Sequence, residues 1–372
     1  MIGVAVLGST GSVGTNTLRV LARHRDRFRV VALTAYDSAD LLKRQAREAG
    51  AAFVGLVQGT GVAGTGMGEG CLVEAATHAD VKIVVNAIVG AAGLPATLAA
   101  LRAGKRVALA NKETLVMAGD LVLEAARRGG GEIVPIDSEH SAVLQCVTGA
   151  RAGTLRRLIL TASGGPFRDW PAERLAGATV KEALNHPTWR MGPKITLDSA
   201  TLVNKALEVI EGHFLFGLGY EAIDVVVHPQ SIVHGLAEFT DGSVLAQVGF
   251  PTMELPILYA LTHPERLPDD GTRRFDPVAA GPLTFEPLRR DAFPAFGLGV
   301  NAGCNGGTAP AVFNAANEVA VEACLAGRLA FGRIPDVIAR VLEAHDVQPA
   351  GDLAVVLAAD RWARERAEAA CS

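Results

Sequence analysis

The chain has 372 residues, of which 49% are apolar and 20% charged, so it has the composition of a globular protein long enough for two or three domains. The formal net charge is −4 and no block of like charge occurs, so we expect no nucleic-acid partner and no membrane partner. No apolar run reaches transmembrane length, the five cysteines are scattered without a CxxC pair, and the N-terminus lacks a signal-peptide pattern, which together favour a reduced cytoplasmic protein.

In chain order, the first part of the sequence alternates short apolar runs with helical patterns. Strands are predicted at 3–8, 28–35, 52–57, 83–90, 106–111 and 132–137, and helices at 14–24, 39–49, 93–103 and 115–128. This alternation predicts an α/β fold in which a doubly wound parallel sheet carries helices on its faces. The glycine-rich stretch 59–70 predicts a flexible loop.

The pattern changes after residue 150. Strands are predicted at 156–163, 223–229, 233–239 and 243–250, with fewer crossovers, which favours an α+β domain with a mixed or antiparallel sheet. Residues 263–290 hold five prolines and many charges and are interpreted as a linker. From residue 291 the chain is predicted to be mostly helical, including 309–327 and the tail from 351.

The segment GSTGSVG follows the first predicted strand and opens the first predicted helix. Its glycines, Gly8, Gly11 and Gly14, have the spacing GxxGxxG. The missing Cβ atoms permit a tight turn and a close approach of the backbone to a pyrophosphate at a helix N-terminus. The segment therefore predicts dinucleotide binding by a Rossmann-like sheet. GTGVAG at 59–64 formally matches GxGxxG but is followed by more glycine, which does not sustain a helix.

An acidic residue is expected about 20 residues after such a glycine loop. Asp37, in Tyr36-Asp37-Ser38, lies near that place. It would bind a ribose 2′-hydroxyl and favour NAD, or it is a solvated loop aspartate, and both interpretations stay open.

Carboxylates follow the last strand of the first part. Asp137 and Glu139 are two residues apart, so on an extended backbone they point the same way. With Glu208 as a third hard oxygen donor they would suit Mg²⁺ or Mn²⁺. Taken alone, the pair is more typical of a helix cap and its first turn.

The segment DSATLVNKALE at 198–208 predicts one buried helix with a polar stripe. Thr201, Asn204, Lys205 and Glu208 fall at i, i+3, i+4 and i+7, so they share one face. The remaining residues are strongly apolar, and a short polar stripe on a buried helix indicates a cavity.

Three further segments place polar residues at predicted strand ends or in a loop. Lys112 lies where a nicotinamide or substrate should arrive, and Ser163 with two following glycines is typical of a phosphate nest or of a plain turn. NHPTWRMGPK at 185–194 predicts a mobile loop with His186 and an aromatic lid, Trp189. His228 and His234 are expected to pack and to form hydrogen bonds.

The ordered segments GSTGSVG, ANKETLV, PIDSEH, TASGGPF, HPTW-MG-KITLDSATLVNKALE, HPQSIVH and NAANEVAV together resemble the 1-deoxy-D-xylulose 5-phosphate reductoisomerases over nearly the whole chain. The resemblance implies an NADPH-binding Rossmann-like domain at 1–137, a catalytic domain at 138–262 with the flap at 185–194, a linker at 263–290 and a helical domain at 291–372. It also implies a homodimer that rearranges 1-deoxy-D-xylulose 5-phosphate with a divalent metal ion, Mg²⁺ or Mn²⁺, and reduces the product with NADPH to 2-C-methyl-D-erythritol 4-phosphate for isoprenoid synthesis.

The resemblance also implies residue roles. The metal ligands are Asp137, Glu139 and Glu208. Substrate is bound by Lys112, Ser138, Glu139, Ser163, His186, Ser199, Asn204, Lys205 and Glu208, and the catalytic residues are Lys112, Glu139, His186 and Lys205. NADPH is contacted by Gly8, Thr10, Gly11, Ser12, Val13, Asn111, Glu113 and Gly192. For the proton shuttle, Glu139, Lys112 and a metal-bound water remain alternatives.

The chain departs from the resemblance at Tyr36-Asp37-Ser38, where small or basic residues are usual, which leaves the preference for NADPH over NADH open. Arg190 in the flap, and Thr252 and Glu254, are further departures. The alternatives are a dehydrogenase of the homoserine or aspartate-semialdehyde type and a non-catalytic NAD(P)-binding sensor. Metal-dependent turnover would separate the sensor from the enzyme.

Overall fold

The computed structural model describes residues 1–59 and 66–371. Its strands are β1 Ile2–Leu7, β2 Phe28–Ala35, β3 Phe53–Leu56, β4 Gly66–Met67, β5 Ile83–Asn86, β6 Arg106–Leu109, β7 Glu132–Pro135, β8 Leu155–Ala162, β9 Ile223–Val227, β10 Val233–Phe239, β11 Val244–Val248 and β12 Glu286–Pro287.

The α-helices of the described residues are α1 Ser12–Arg23, α2 Ala39–Ala49, α3 Gly70–Thr77, α4 Leu94–Arg102, α5 Lys112–Gly129, α6 Ser138–Val147, α7 Ala172–Leu175, α8 Val180–Ala183, α9 Pro193–Ala200, α10 Val203–Phe216, α11 Glu254–Thr262, α12 Pro277–Ala280, α13 Pro294–Asn305, α14 Ala309–Leu325, α15 Ile334–Glu343 and α16 Leu353–Cys371. No helix among the described residues has both the length and the apolar character needed to cross a membrane.

The chain forms two compact units. The first contains residues 1–114, 121–144 and 252–273, and the second contains 115–120, 145–251 and 274–372. The domain boundaries at 137, 262 and 290 stay a prediction. They differ from these units most clearly at residues 252–273, which were assigned to the catalytic domain and the linker but belong to the first unit.

The first unit is built on a parallel sheet. Among the described residues its seven strands have the order β4-β3-β2-β1-β5-β6-β7, and each neighbouring pair is parallel. The order reverses at β1, which pairs with β2 on one side and β5 on the other, so this sheet has a switch point where ligands characteristically bind. The α/β prediction is confirmed. The strands of this sheet are continuous apolar runs because both faces of a parallel sheet are buried. Val4, Val6 and Val85, for example, have no exposed surface.

The first unit is completed by a segment from far along the chain. Ile257 and Leu261 of α11 are buried in the same core as β1 and β2. Arg23, at the end of α1, donates to both carboxylate oxygens of Asp269 at 2.8 Å and contacts Glu254 at 2.8 Å. Residues 252–273 therefore belong to the packing of this unit.

The second unit contains a mixed sheet and most of the C-terminal helices. Its five strands, within the part of the chain that the structure describes, have the order β11-β10-β8-β9-β12. Only the pair β8–β9 is parallel, as the predicted α+β pattern required. Helix α14 is buried along most of its length and packs against α9, α13, α15 and α16, so the helical prediction for the C-terminal part is confirmed.

The prediction of one helix over 198–208 is wrong. Helix α9 ends at Ala200, and α10 begins at Val203. Leu202 between them has a left-handed backbone with φ of 61°, and the Thr201 hydroxyl contacts the carbonyl oxygens of Leu197 and Asp198 at 3.2 Å. Thr201 therefore belongs to the end of α9, and Asn204, Lys205 and Glu208 alone share the polar face of α10.

The glycine-rich stretch 59–70 is also partly different from its prediction. Gly66 and Met67 pair with β3 as the edge strand β4, and Gly70 begins α3, a helix that the apolar pattern did not reveal. Residues 60–65, which contain most of the GxGxxG match at 59–64, lie outside the described residues.

Candidate active site

The glycine turn lies at the carboxyl end of β1, at the switch point of the parallel sheet. Gly8 has a φ of 79°, and a Cβ atom on Gly14 would lie 2.3 Å from the Gly8 carbonyl oxygen. Gly11 is the N-cap of α1, and no side chain caps this helix end. The first backbone N–H groups of α1 therefore face a site that suits an anion.

The sequence did not predict the hydrogen bonds that hold this turn in place. Backbone N–H groups of Gly8 and Ser9 donate to the Thr34 carbonyl oxygen at 3.1 and 2.8 Å. The buried Ser9 hydroxyl donates to Gln45 Oε1 at 2.8 Å, and Gln45 Nε2 donates to the Ser9 carbonyl oxygen at 2.9 Å. Gln45, in α2, therefore holds the turn in place. It lies 36 residues from Ser9 along the chain, so no local sequence pattern indicated this contact.

Asn111 and Glu113 follow β6, at the same edge of the sheet. The Asn111 side chain, which is 1% exposed, donates to the carbonyl oxygens of Ile88 and Gly90 and to Glu113 Oε2, each at 2.9 Å. This amide is therefore engaged in holding the loop after β5. Any nucleotide contact by Asn111 would come from its backbone.

The Asp137 carboxylate caps a helix and pairs with a lysine. Its Oδ1 accepts from the backbone N–H groups of Glu139 at 3.2 Å and His140 at 3.4 Å, while Lys112 Nζ donates to Oδ2. Glu139 lies in the first turn of α6 and accepts from the Ser138 hydroxyl. The interpretation as a helix cap and its first turn is confirmed, and the extended backbone is wrong, because the chain leaves the extended conformation after β7 and enters α6 at Ser138.

Ser163 and His186 form a polar pair in the second unit. His186 Nδ1 accepts the backbone N–H groups of Thr188 at 3.1 Å and Trp189 at 2.9 Å, so the proton of the neutral ring is on Nε2. Nε2 lies 3.1 Å from Ser163 Oγ and donates to it, and the Gly165 N–H donates to the same oxygen at 3.2 Å. In both hydrogen bonds that the described part of the chain shows for this hydroxyl, the Ser163 oxygen is the acceptor. The hydroxyl proton can therefore be donated to a bound anion.

The histidine of this pair is neutral. Burial lowers the pKa of His186 from its ordinary value to about 4, because the imidazolium would lose its hydration. At neutral pH the ring is thus a hydrogen-bond donor to Ser163 and carries no charge.

Lys205 and Glu208 are a buried ion pair on α10. Their exposed fractions are 4% and 1%, and Lys205 Nζ donates both to Glu208 Oε2 and to the Thr161 carbonyl oxygen, the latter at 2.6 Å. Asn204 Nδ2 donates to Glu208 Oε1 at 2.6 Å. A cation, an amide and a carboxylate therefore occupy the polar face of α10, beside the end of β8.

Ser199 lies against the Ser163 turn. Gly165 has a φ of 68°, and a Cβ atom there would lie 2.9 Å from the Ser199 carbonyl oxygen. The structure thus brings the ends of β8, α9 and α10 together, and with them Ser163, Ser199, Asn204, Lys205 and Glu208.

The loop at 185–194 folds back on the same unit. The Trp189 ring lies edge-on to His234, with centroids 6.4 Å apart, and Gly192 is the N-cap of α9. Asp198, which sequence reasoning did not single out, is 1% exposed, pairs with Lys194 at 2.9 Å and accepts from Asn317 Nδ2 at 2.8 Å. It ties α9 to α14, and its only sequence signal was the i,i+4 spacing from Lys194.

His228 and His234 pack and form hydrogen bonds, as we expected from the sequence. His228 is fully buried, with Nδ1 2.8 Å from the Thr284 carbonyl oxygen and Nε2 accepting the Ile232 N–H at 3.1 Å. His234 Nε2 lies 3.2 Å from the Gly249 carbonyl oxygen.

Comparisons with known families match most of the chain. Residues 4–119 match the family model described as 1-deoxy-D-xylulose 5-phosphate reductoisomerase. Residues 133–216 and 248–366 match two models of the C-terminal domain of that family.

Curated relatives and solved structures agree with these matches. The 1-deoxy-D-xylulose 5-phosphate reductoisomerase of Synechococcus sp. (strain JA-2-3B'a(2-13)) is 50% identical, with 98% of this chain and 96% of the relative covered, and that of Symbiobacterium thermophilum is 48% identical, with 98% and 97% covered. A crystal structure of DOX-P reductoisomerase in complex with NADPH, fosmidomycin and magnesium has a TM-score of 0.94 at 40% identity and covers 100% of this chain and 98% of its own. The Zymomonas mobilis enzyme in complex with NADPH has a TM-score of 0.92 at 39% identity, covering 100% and 99%.

Proposed function

Because the chain belongs to the 1-deoxy-D-xylulose 5-phosphate reductoisomerase family, we propose that the polar groups described above are the parts of its active site. The enzyme rearranges 1-deoxy-D-xylulose 5-phosphate in a metal-dependent step and reduces the product with NADPH to 2-C-methyl-D-erythritol 4-phosphate, in the non-mevalonate route to isoprenoids. The dehydrogenase and sensor alternatives are not favoured. The observation that carries the assignment of residues is the buried pair Lys205–Glu208 beside the Ser163 turn.

The glycine turn fits the pyrophosphate of NADPH. Gly14 leaves no space for a Cβ atom, and the uncapped N–H groups at the start of α1 are the donors that an anion requires. NADPH supplies the hydride when bound. We assign its contacts to Gly8, Thr10, Gly11, Ser12, Val13, Glu113 and Gly192 and to the backbone of Asn111.

The acidic residues fit a hard divalent cation. Asp137, Glu139 and Glu208 offer carboxylate oxygens, the donor type that Mg²⁺ and Mn²⁺ take. When bound, the ion would polarise the substrate's carbonyl and hydroxyl oxygens as a Lewis acid. Lys112 and Lys205 pair with Asp137 and Glu208, so each of these two carboxylates has a positive charge beside it.

The second unit supplies donors for the sugar phosphate. The Ser163 hydroxyl has its proton available, His186 holds that hydroxyl in place, and Lys205 offsets anionic charge. The Ser199 backbone lies against the turn after β8 and Asn204 lies on the polar face of α10. We assign Lys112, Ser138 and Glu139 to the remaining substrate contacts. We propose that the loop at 185–194 with Trp189 closes over the substrate and excludes water.

We further propose that the protein is a cytoplasmic homodimer. The family resemblance supports the dimer, and the scattered cysteines, all free in the structure, suit a reducing compartment. A molar mass of two chains in light scattering of the purified protein supports this proposal, and a single-chain mass contradicts it.

The test is NADPH oxidation by the purified protein given 1-deoxy-D-xylulose 5-phosphate, with Mn²⁺ or Mg²⁺ and with excess chelator. We expect oxidation that chelator abolishes and metal restores. Glu208→Gln should also weaken Mn²⁺ binding, followed by electron paramagnetic resonance, by at least about tenfold. The exposed Glu173→Gln on α7 is the matched control and should bind Mn²⁺ normally. No oxidation from folded, metal-loaded protein would bring the sensor alternative forward.

A further inference from the structure

Asp37 lies beside the glycine turn at the carboxyl edge of the parallel sheet. Strand β2, which ends at Ala35, pairs with β1 in the register Leu7 to Thr34. The Thr34 carbonyl oxygen accepts the N–H groups of Gly8 and Ser9, so the chain just after β2 is fixed next to the turn. Asp37 follows two residues after the end of β2, and Tyr36 beside it is 62% exposed.

The Asp37 carboxylate faces solvent and is available to a ligand. Its Oδ1 receives the Ser38 hydroxyl at 3.2 Å, and it makes no ion pair with any residue that the structure describes. The Ala39 N–H donates to the Asp37 carbonyl oxygen at 2.8 Å, which fixes the turn into α2. A carboxylate oxygen at this position accepts hydrogen bonds and donates none.

The surroundings of Asp37 are acidic. Asp40 lies in the first turn of α2. The first cation after Ala35 in the sequence is Lys43, which contacts Asp40 at 3.8 Å. Residues 36–42 therefore contain two carboxylates and no cation, where a 2′-phosphate would need a positive charge.

We propose that Asp37 accepts hydrogen bonds from the adenosine ribose hydroxyls and repels a 2′-phosphate, so that this enzyme uses NADH as well as NADPH. This inference rests on the proposed binding of a dinucleotide at the glycine turn. The hydroxyls of NADH donate to a carboxylate, whereas the 2′-phosphate of NADPH brings like charge close to Asp37.

The test measures the dissociation constants of NADP⁺ and NAD⁺ by calorimetry on the protein without substrate. It also measures kcat/KM for NADPH and for NADH, and in each case the two nucleotides are compared. We expect the wild-type constants to lie within about tenfold of each other. Asp37→Arg should shift the ratio towards NADP⁺ by at least about tenfold, since a cation replaces the carboxylate. Asp26→Arg, an equal charge change at an exposed residue before β2, is the matched control and should leave the ratio unchanged.

The outcomes separate this inference from the function on which it rests. Binding of both nucleotides with a wild-type preference for NADP⁺ above about 100-fold, or a ratio that Asp37→Arg leaves unchanged in a folded protein, overturns the role of Asp37 alone. Binding of neither nucleotide by protein with a native circular dichroism spectrum overturns the proposed nucleotide site and this inference with it.

Discussion

At the scale of single residues, His186 illustrates how burial sets a protonation state. Its ring receives two backbone N–H groups and donates to Ser163, and its pKa is lowered to about 4 by burial. In the unfolded chain the same ring takes a proton near pH 6.5. Between these values the unfolded state binds more protons, so His186 makes the folded protein less stable as the pH falls.

Replacing His186 with Gln removes this titration. We expect the melting temperature of the wild type, relative to that of His186→Gln, to fall as the pH is lowered from neutral to about 4, the folded-state pKa of the ring. Thermal unfolding by circular dichroism across that range measures the difference. A difference that stays constant with pH contradicts a neutral, half-buried histidine.

Lys205 and Glu208 give a prediction about buried charge. Lys205→Ala removes the Lys205 cation from beside the Glu208 carboxylate, which is 1% exposed, and loss of one partner of such a pair costs about 3–5 kcal/mol. Urea unfolding in metal-free buffer should show this loss. The double variant Lys205→Ala with Glu208→Ala should recover part of it, because no uncompensated charge remains, and a double variant less stable than the single one would refute the argument.

How much of the site could be predicted depends on how local its chemistry is. Ser163, Lys205 and Glu208 belong to short motifs with polar residues at strand ends or on one helix face, and the structure places them side by side. Gln45 and Asp198 are held by partners 36 and 119 residues away. No spacing or periodicity carries information about such pairs, which only the folded chain brings together.

At the scale of elements, the break between α9 and α10 shows where periodicity fails. The apolar pattern continues through 198–208 without glycine or proline, so nothing local predicts an interruption. Leu202 nevertheless adopts a left-handed backbone, which costs a residue with a Cβ atom about 1–2 kcal/mol. Its side chain is 3% exposed, and burial of a leucine offsets a cost of that size.

The turn after β8 gives a prediction with a matched control. Gly165→Ala places a Cβ atom 2.9 Å from the Ser199 carbonyl oxygen at a φ of 68°, whereas Gly153→Ala meets nothing within 4 Å at a φ of 80°. Both should lose about 1–2 kcal/mol for the left-handed backbone, and Gly165→Ala should lose more and also raise KM for the sugar phosphate. Chemical unfolding and steady-state kinetics measure these effects, and equal behaviour of the two variants would contradict the close packing of this turn.

At the scale of the whole molecule, the first unit is discontinuous in sequence. The alternating pattern of the first part predicted its strands, but neither hydrophobic periodicity nor the prolines of 263–290 indicated that 252–273 would pack with them. Ile257 has no exposed surface, and Asp269 is bound by Arg23. Burial partners of this kind are decided by tertiary packing.

A fragment of residues 1–144 should therefore fold poorly. We expect it to bind a hydrophobic dye and to lack a cooperative melting transition, because α11 no longer covers its core. Joining residues 252–273 to it through a long Gly/Ser linker should restore cooperative unfolding. The same fusion with Ile257→Asp is the control, and a fragment 1–144 that unfolds cooperatively by itself would contradict the packing argument.

The discontinuity also matters while the protein is being made. A ribosome that adds roughly 5–20 residues per second completes the last strand of the parallel sheet well before it reaches α11, with residues 145–251 synthesised in between. For a time on the order of ten seconds the nascent chain exposes the apolar surface that α11 later covers. Chaperones that bind hydrophobic segments would meet this protein at that stage, before α11 covers this surface.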